Sequence, residues 1–258
     1  MDGIRPALAR LQTPFVSRNI EKRIDPKRHL ANAESVIVLG RFYGRKETNV
    51  GAPPDGPSRG SVKVSYMAAG PDYHTEIKKL LAKLIEELSS HGSFEYRMFV
   101  DSKYLVEREL AVRAGLGFYG KNCMVVSPAG GSFFNVGCIL TDARIEWPET
   151  APLGDPCGQC DKCVSACPGN AIRGEGYEVD ASKCVSYITQ KKGLLSEQEI
   201  RIKGSWAYGC DVCQLVCPYN GIAEPLHMDA REFIDTAQNS CAGWIGEDTL
   251  RRNVGGCA

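Results

Sequence analysis

A chain of 258 residues, 43% hydrophobic and 24% charged, has the composition of a globular protein able to bury one large core or two modest ones. No run approaches the roughly 18 apolar residues of a membrane span, and the opening MDGIRPALARLQTPF lacks an export signal's apolar stretch, so a cytoplasmic location without membrane contact is expected. Zero formal net charge argues against indiscriminate nucleic-acid binding, although residues 1–60 carry 11 Lys/Arg against 6 Asp/Glu.

The first half alternates strand-like and helix-like segments. SVIVLGRFY (35–43) is a β-branched apolar run and reads as a buried strand, and GAPPDGPSRG (51–60) is a loop. Ile77, Leu80, Leu81, Leu84, Ile85 and Leu88 recur at helical spacing, with Thr75 as a plausible N-cap and Gly92 as a stop. FEYRMFV (94–100) reads as a strand and YLVERELAVRAG (104–115) as a helix. CMVVS (123–127) and FFNVGCILT (133–141) read as strands around a Gly130-Gly131 turn. The alternation favours an α/β (α+β) domain over residues 1–149. WPETAPLGDP (147–156) is the candidate linker to a cysteine-rich domain over 150–225, and 226–258 reads as a helical tail.

Twelve cysteines in a chain of this size without an export signal point to metal rather than disulfides. Cys157-x2-Cys160-x2-Cys163-x3-Cys167-Pro168 has the spacing of bacterial two-cluster ferredoxins. Cys184 and then Cys210-x2-Cys213-x3-Cys217-Pro218 form a second, interrupted copy. The proline turns the chain away, so the last cysteine of each run reaches the other cluster. On that pattern Cys157, Cys160, Cys163 and Cys217 hold one [4Fe–4S] cluster, and Cys167, Cys184, Cys210 and Cys213 the other. The 25 residues between Cys184 and Cys210 are expected to loop out. Two zinc sites are the competing reading, but a zinc ribbon has no use for a third cysteine two residues on followed by Cys-Pro. Cys123, Cys138, Cys241 and Cys257 lie outside the motifs, the first two in strand-like segments where a thiol packs as a small apolar group. A ferredoxin alone needs no preceding domain of this length, so the clusters are expected to feed a second cofactor or substrate site.

Asp101 falls at the end of a predicted strand, the edge where open α/β sheets bind ligands. It reads equally as a proton donor or as a cap for the helix that follows, a role Ser102 also suits.

VDSKYLVERELAVRAGLGFYGKN, GGSFFNVGCILTD, the cysteine motifs, KCVSYIT and YGCDVCQLVCPYN together resemble the epoxyqueuosine reductase family, from about Asp25 to about Asn220 in the family's order. The resemblance implies a corrinoid-binding domain of the kind found in reductive dehalogenases, followed by a double [4Fe–4S] ferredoxin-like domain. It implies cobalamin beside the two clusters and, as substrate, a queuosine-family tRNA anticodon loop. It makes Asp101 the proton donor and places Arg108 near the substrate pocket. Tyr66-x3-Gly70-x-Asp72-Tyr73-His74 resembles the family's corrin-side segment, although Met67-Ala68-Ala69 and Pro71 depart from the usual pattern. Tyr66, Gly70, Tyr73, His74, Asp101, Lys121, Asn122 and Ser186 are thereby the expected cobalamin contacts. Arg18, Lys22, Arg23, Lys27 and Arg28 are candidates for tRNA phosphates. A monomer served by an external low-potential donor such as ferredoxin or flavodoxin is expected. The family's C-terminal helical-repeat domain would begin near Arg251-Arg252-Asn253. That leaves two other readings open: the same cofactor chemistry on a smaller, dehalogenase-like substrate, or a non-enzymatic electron carrier.

Overall fold

The computed structural model describes residues 23–43, 60–102, 104–148, 153–174, 178–221 and 224–255. Most of the 51–60 loop, part of the 147–156 linker, Arg18, Lys22 and Cys257 lie outside them.

The central sheet has the order β1-β6-β3, built from β1 (Ser35–Phe42), β3 (Tyr96–Val100) and β6 (Phe134–Thr141). Both neighbours run antiparallel to β6, with Ser35↔Thr141 through Phe42↔Phe134 on one side and Tyr96↔Thr141 through Val100↔Gly137 on the other. Side chains alternate across β6. Ile139 packs with Ile77 and Leu81, while Cys138 and Leu140 pack with Leu30, Phe99 and Leu105. Both faces are therefore covered, and β6 is an almost continuous apolar run.

The helix α1 (Tyr73–Ser89) starts earlier than its periodicity indicates. Asp72, not Thr75, is the N-cap, and its carboxylate accepts from the His74 backbone N–H at 2.9 Å. The helix also ends at Ser89, ahead of Gly92. Its buried stripe of Tyr73, Ile77, Leu81 and Ile85 lies on the sheet where Gly137 gives it room, since a Cβ there would stand 2.4 Å from the Ile77 side chain. Helix α2 (Glu107–Arg113) begins three residues later than expected and has no side-chain cap. The CMVVS run contributes only the two-residue β5 (Val125–Val126), paired with β4 (Phe118–Tyr119).

A second sheet, β7-β2-β8, overturns two expectations. Its central strand β2 (Ser61–Val64) pairs in parallel with β7 (Trp206–Tyr208) and antiparallel with β8 (Leu226–Asp229). The segment between Cys184 and Cys210 does not loop out. It forms α4 (Val185–Gln190), α5 (Glu197–Lys203) and the wholly buried β7. The 226–258 segment is not a helical tail either. It opens with β8 and continues as α7 (Ala230–Ala237) and α8 (Glu247–Val254), whose Phe233, Ala237, Leu250 and Val254 share one core with Ile77, Leu81, Val62 and Val64. Four-residue strands pairing across some 160 positions leave no local periodicity to read. The whole is an α+β arrangement, with the cysteine segment carrying two short helices, α3 (Lys162–Ala166) and α6 (Val212–Leu215), in contact.

Because Phe233 is 0% exposed in that shared core, Phe233→Ala should destabilise the fold by roughly 3–5 kcal/mol. Chemical unfolding under anaerobic conditions checks this, and a loss under about 1 kcal/mol, far below a core truncation, would make the segment an appendage after all.

Candidate active site

The eight motif cysteines gather into the two expected quartets. Cys157, Cys160, Cys163 and Cys217 rim one hollow. Cys167, Cys184, Cys210 and Cys213 stand on the wall of a cavity of about 300 Å³. The thiols feel one another in the same grouping. Burial first, then Cys157 and Cys217, raise Cys163, and burial with Cys184 and Cys167 among the neighbours pushes Cys210 up to about 12. Four thiols around one hollow and four on one cavity wall, in the spacing of two-cluster ferredoxins, are a donor set that fits two cubanes.

The two quartets differ in surroundings. The chain around Cys157 and Cys160 is exposed, whereas Asp211 and Gln214, which flank the second quartet, are buried. Asp211 ties that quartet to the first half of the chain. Its carboxylate accepts from Ser65 Oγ and the Tyr66 N–H, both at 2.8 Å, and from Gln214 Nε2 at 3.2 Å. Burial pushes its pKa up to about 6.

Asp101 leaves β3 in the left-handed region, φ 43°, with its side chain 72% exposed. It caps nothing: α2 starts six residues later, and Ser102, not Asp101, engages Glu107, through its N–H and hydroxyl at 2.7 Å each. Its Oδ2 instead accepts from the Tyr73 hydroxyl at 2.7 Å. Burial and the neighbouring Asp101 hold the Tyr73 phenol far above its ordinary range, so it is a permanent donor at neutral pH. His74 stacks on Tyr73 with ring centroids 4.1 Å apart. Its Nδ1 lies 2.7 Å from Asp72 Oδ1, which assigns the proton to that nitrogen, and its Nε2 faces Asp101 Oδ2 at 3.9 Å. Asp72, His74 and Asp101 line a cavity of about 280 Å³ together with Ser240, Cys241 and Trp244. One hydrogen bond links the linings of the two cavities. Met67 lines the first, and its carbonyl accepts from the Cys241 thiol, which lines the second.

The remaining expected contacts disperse. Asn122, Ser186 and Arg108 line the cavity at the second quartet, with Arg108 Nη1 donating to the Cys123 carbonyl at 2.7 Å. Lys121 lies at the other hollow, where its ammonium donates to the Gly158 carbonyl at 2.6 Å; it braces the first quartet's loop. Tyr66 points its hydroxyl to the Glu224 carbonyl, and Gly70 sits in open space; neither lines these cavities. Arg23 is not a surface cation. It donates to the Leu105 carbonyl at 2.9 Å, its Nε and Nη1 are buried without a hydrogen-bond partner among the described residues, and burial lowers its pKa. Arg28 is exposed and pairs with Asp25 at 3.5 Å. Sequence reasoning missed Cys241 and Trp244, which carry no motif and come from the segment read as a tail.

Residues 23–102 match the family described as epoxyqueuosine reductase QueG, DUF1730, and residues 156–220 match the 4Fe-4S double cluster binding domain. An epoxyqueuosine reductase of Lactococcus garvieae is 33% identical over 93% of this chain and 73% of its own. The chain belongs to the epoxyqueuosine reductase family. The solved epoxyqueuosine reductase of Streptococcus thermophilus superposes with a TM-score of 0.84 at 31% identity, covering 98% of this chain and 72% of that one. A second epoxyqueuosine reductase, solved with an epoxyqueuosine-modified tRNA-Tyr stem loop, gives 0.83 at 30% identity over 97% and 71%. Among the described residues no helix is long and apolar enough to cross a membrane.

Anaerobically purified protein should carry about eight irons and eight sulfides, two cubanes of four each. Cys160→Ala and Cys213→Ala should each remove mainly one cluster, to be distinguished by electron paramagnetic resonance of the remaining one. About two zincs without acid-labile sulfide would reverse the assignment.

Proposed function

We propose that this chain is a cobalamin-dependent reductase that draws electrons through two [4Fe–4S] clusters and reduces the epoxide of epoxyqueuosine in tRNA to queuosine. The observation that carries the reading is the order of parts: a cysteine quartet on an exposed stretch of chain, a second quartet flanked by buried Asp211 and Gln214 on a cavity wall, and beyond the Met67–Cys241 contact a carboxylate held by a phenol and faced by a histidine. The rim of the first cavity would meet one edge of the cofactor, with the second quartet behind it and the side chains of Asn122, Ser186 and Gln190 near the peripheral amides. When bound, cobalamin and the clusters supply the low-potential electrons that side chains cannot.

The reaction removes the epoxide oxygen as water, consuming two electrons and two protons and leaving an alkene. The chain's part is the proton. Tyr73 pins Oδ2 of Asp101 and leaves Oδ1 to deliver a proton to the departing oxygen. His74, anchored through Nδ1 by Asp72, presents Nε2 at 3.9 Å, a gap that one water or a small rotation of Asp101 closes. Only when protonated at both nitrogens would it carry a proton on Nε2 to return to Asp101 after each turnover. The quartet of Cys157, Cys160, Cys163 and Cys217, set beside the exposed 153–159 stretch, is the entry for electrons from an external low-potential donor. The reacting base must leave its stack to reach Asp101, which a single-stranded anticodon loop permits.

Holoprotein given a low-potential reductant and an epoxyqueuosine-containing stem-loop should yield queuosine, detected by nucleoside mass analysis. Reduced cofactors with no queuosine formed would sink the reading and turn attention to a smaller substrate. Asp101→Asn should keep iron, corrinoid and stability, since the residue caps no helix, while turnover falls by about 10²–10⁴-fold. Near-native turnover in that variant would pass the proton-donor role to His74.

A further inference from the structure

We infer that Glu107 is the positioning residue for Asp101: by holding Ser102 it fixes the backbone turn that presents the Asp101 carboxylate to the reacting group. The inference rests on the proposed function and adds to it a residue that acts through another.

The two peptide planes flanking Asp101 set where its side chain points. The plane before it belongs to β3, where Val100 is buried and pairs with Gly137. The plane after it carries the Ser102 N–H, which donates to Glu107 Oε1 at 2.7 Å. That bond therefore holds the ψ torsion of Asp101. The φ of 43° lies in the left-handed region, which an L-residue keeps only where its surroundings impose it. Ser102 Oγ donates to the same Oε1, also at 2.7 Å, so one carboxylate oxygen takes both donors of one residue. Hydrogen bonds to a carboxylate are the strong kind.

Glu107 is a fixed post because the chain beside it is anchored. Leu105 and Val106 are buried, Leu105 in the core that holds Leu30, Phe99 and Leu140. The Leu105 carbonyl also accepts from Arg23 Nη2 at 2.9 Å. The Tyr104 N–H donates to Ser102 Oγ at 3.3 Å, which ties the serine hydroxyl to the same arch of chain. Asp101 is thus held twice: the Tyr73 hydroxyl fixes the tip of its side chain through Oδ2, and Glu107 fixes its root through Ser102. A proton donor needs both holds to keep its other oxygen aimed at one acceptor. Burial raises the Glu107 carboxyl above its ordinary range, against the pull of the two Ser102 bonds. The latch depends on reach rather than charge, because a neutral carbonyl oxygen also has two lone pairs for two donors.

The test separates reach from charge, using holoprotein and an epoxyqueuosine-containing tRNA stem-loop. Glu107→Asp keeps the charge but falls one methylene short of Ser102, whereas Glu107→Gln keeps the reach and loses the charge. Glu107→Asp should lower kcat by about 10–100-fold, the cost of misplacing a reacting group by about 1 Å, with KM held within about threefold. Glu107→Gln should lose no more than about fivefold, its carbonyl oxygen replacing a charge-assisted acceptor. In the Asp101→Asn background Glu107→Asp should cost less than about twofold more, because groups acting through one step are not additive. Amide hydrogen exchange in the peptide spanning Asp101 and Ser102 should quicken about tenfold in Glu107→Asp and stay native in Glu107→Gln. A merely structural role would lower thermal stability and add its full loss to that of Asp101→Asn. That result, a Gln variant as slow as the Asp variant, or native turnover in Glu107→Asp overturns the inference. The exchange measurement needs no turnover: wild-type protein that reduces no stem-loop refutes the proposed function, while faster exchange in Glu107→Asp alone leaves the latch standing and equal exchange in both variants removes it.

Discussion

Asp211 is the joint on which the molecule's working order depends. A carboxylate between two cluster-binding cysteines, 2% exposed, would be too costly to bury without partners. Its two oxygens take three hydrogen bonds, two of them from Ser65 and Tyr66 some 145 residues earlier. Those two residues directly follow β2, the strand that also receives β7 and β8. One buried acid thus fixes the second cysteine quartet relative to the sheet that carries Met67 and leads into Asp72, Tyr73 and His74. Loss of either hydroxyl or amide donor would leave an unsatisfied buried charge, which is why the arrangement has so little slack.

A second contact keeps the other end of the cysteine segment in place. Asn220, just beyond Cys217-Pro218, accepts from the Ser132 N–H at 2.7 Å and donates to Ser132 Oγ at 3.0 Å and to the Gln214 carbonyl at 2.8 Å. Gly131, at φ +79°, lets the backbones come this close: a Cβ there would overlap Asn220 Oδ1. Two polar joints thus hold the cluster segment where apolar packing alone would allow it to slide, because amide and carboxylate hydrogen bonds specify direction and dispersion contacts do not.

What could be read from the sequence follows from how local each signal is. The cysteine spacing was legible because a cubane is bound by residues a few positions apart. β1 and β6 were legible because runs such as Val36–Leu39 and Val136–Leu140, apolar with β-branched residues, have few alternatives. Asp72 was overlooked as a cap in favour of Thr75 because the apolar stripe gives the period of a helix but not its first turn. The second sheet was not legible at all. β2, β7 and β8 are three or four residues long, and each becomes a strand only when the others are present. Part of the active-site lining went with it, since Cys241 and Trp244 reach the cavity only because β8 and α7 carry the C-terminal segment back across the fold.

Asp101 shows most directly that the site is built for what its side chain touches. An L-residue at φ 43° costs backbone energy that glycine would avoid, and aspartate is among the few others that tolerate it. Had the position served only to turn the chain out of β3, glycine would do so with less strain. Had it served to cap α2, it would lie next to the helix rather than six residues before it. Instead the left-handed turn swings the carboxylate back over the first turn of α1, where a buried phenol that cannot ionise holds one oxygen and a carboxylate-anchored imidazole faces it. Strain of this kind persists only where surrounding contacts over-determine it. Here those contacts are a phenolic donor and an imidazole, the company a carboxylic acid would need in the role proposed for it.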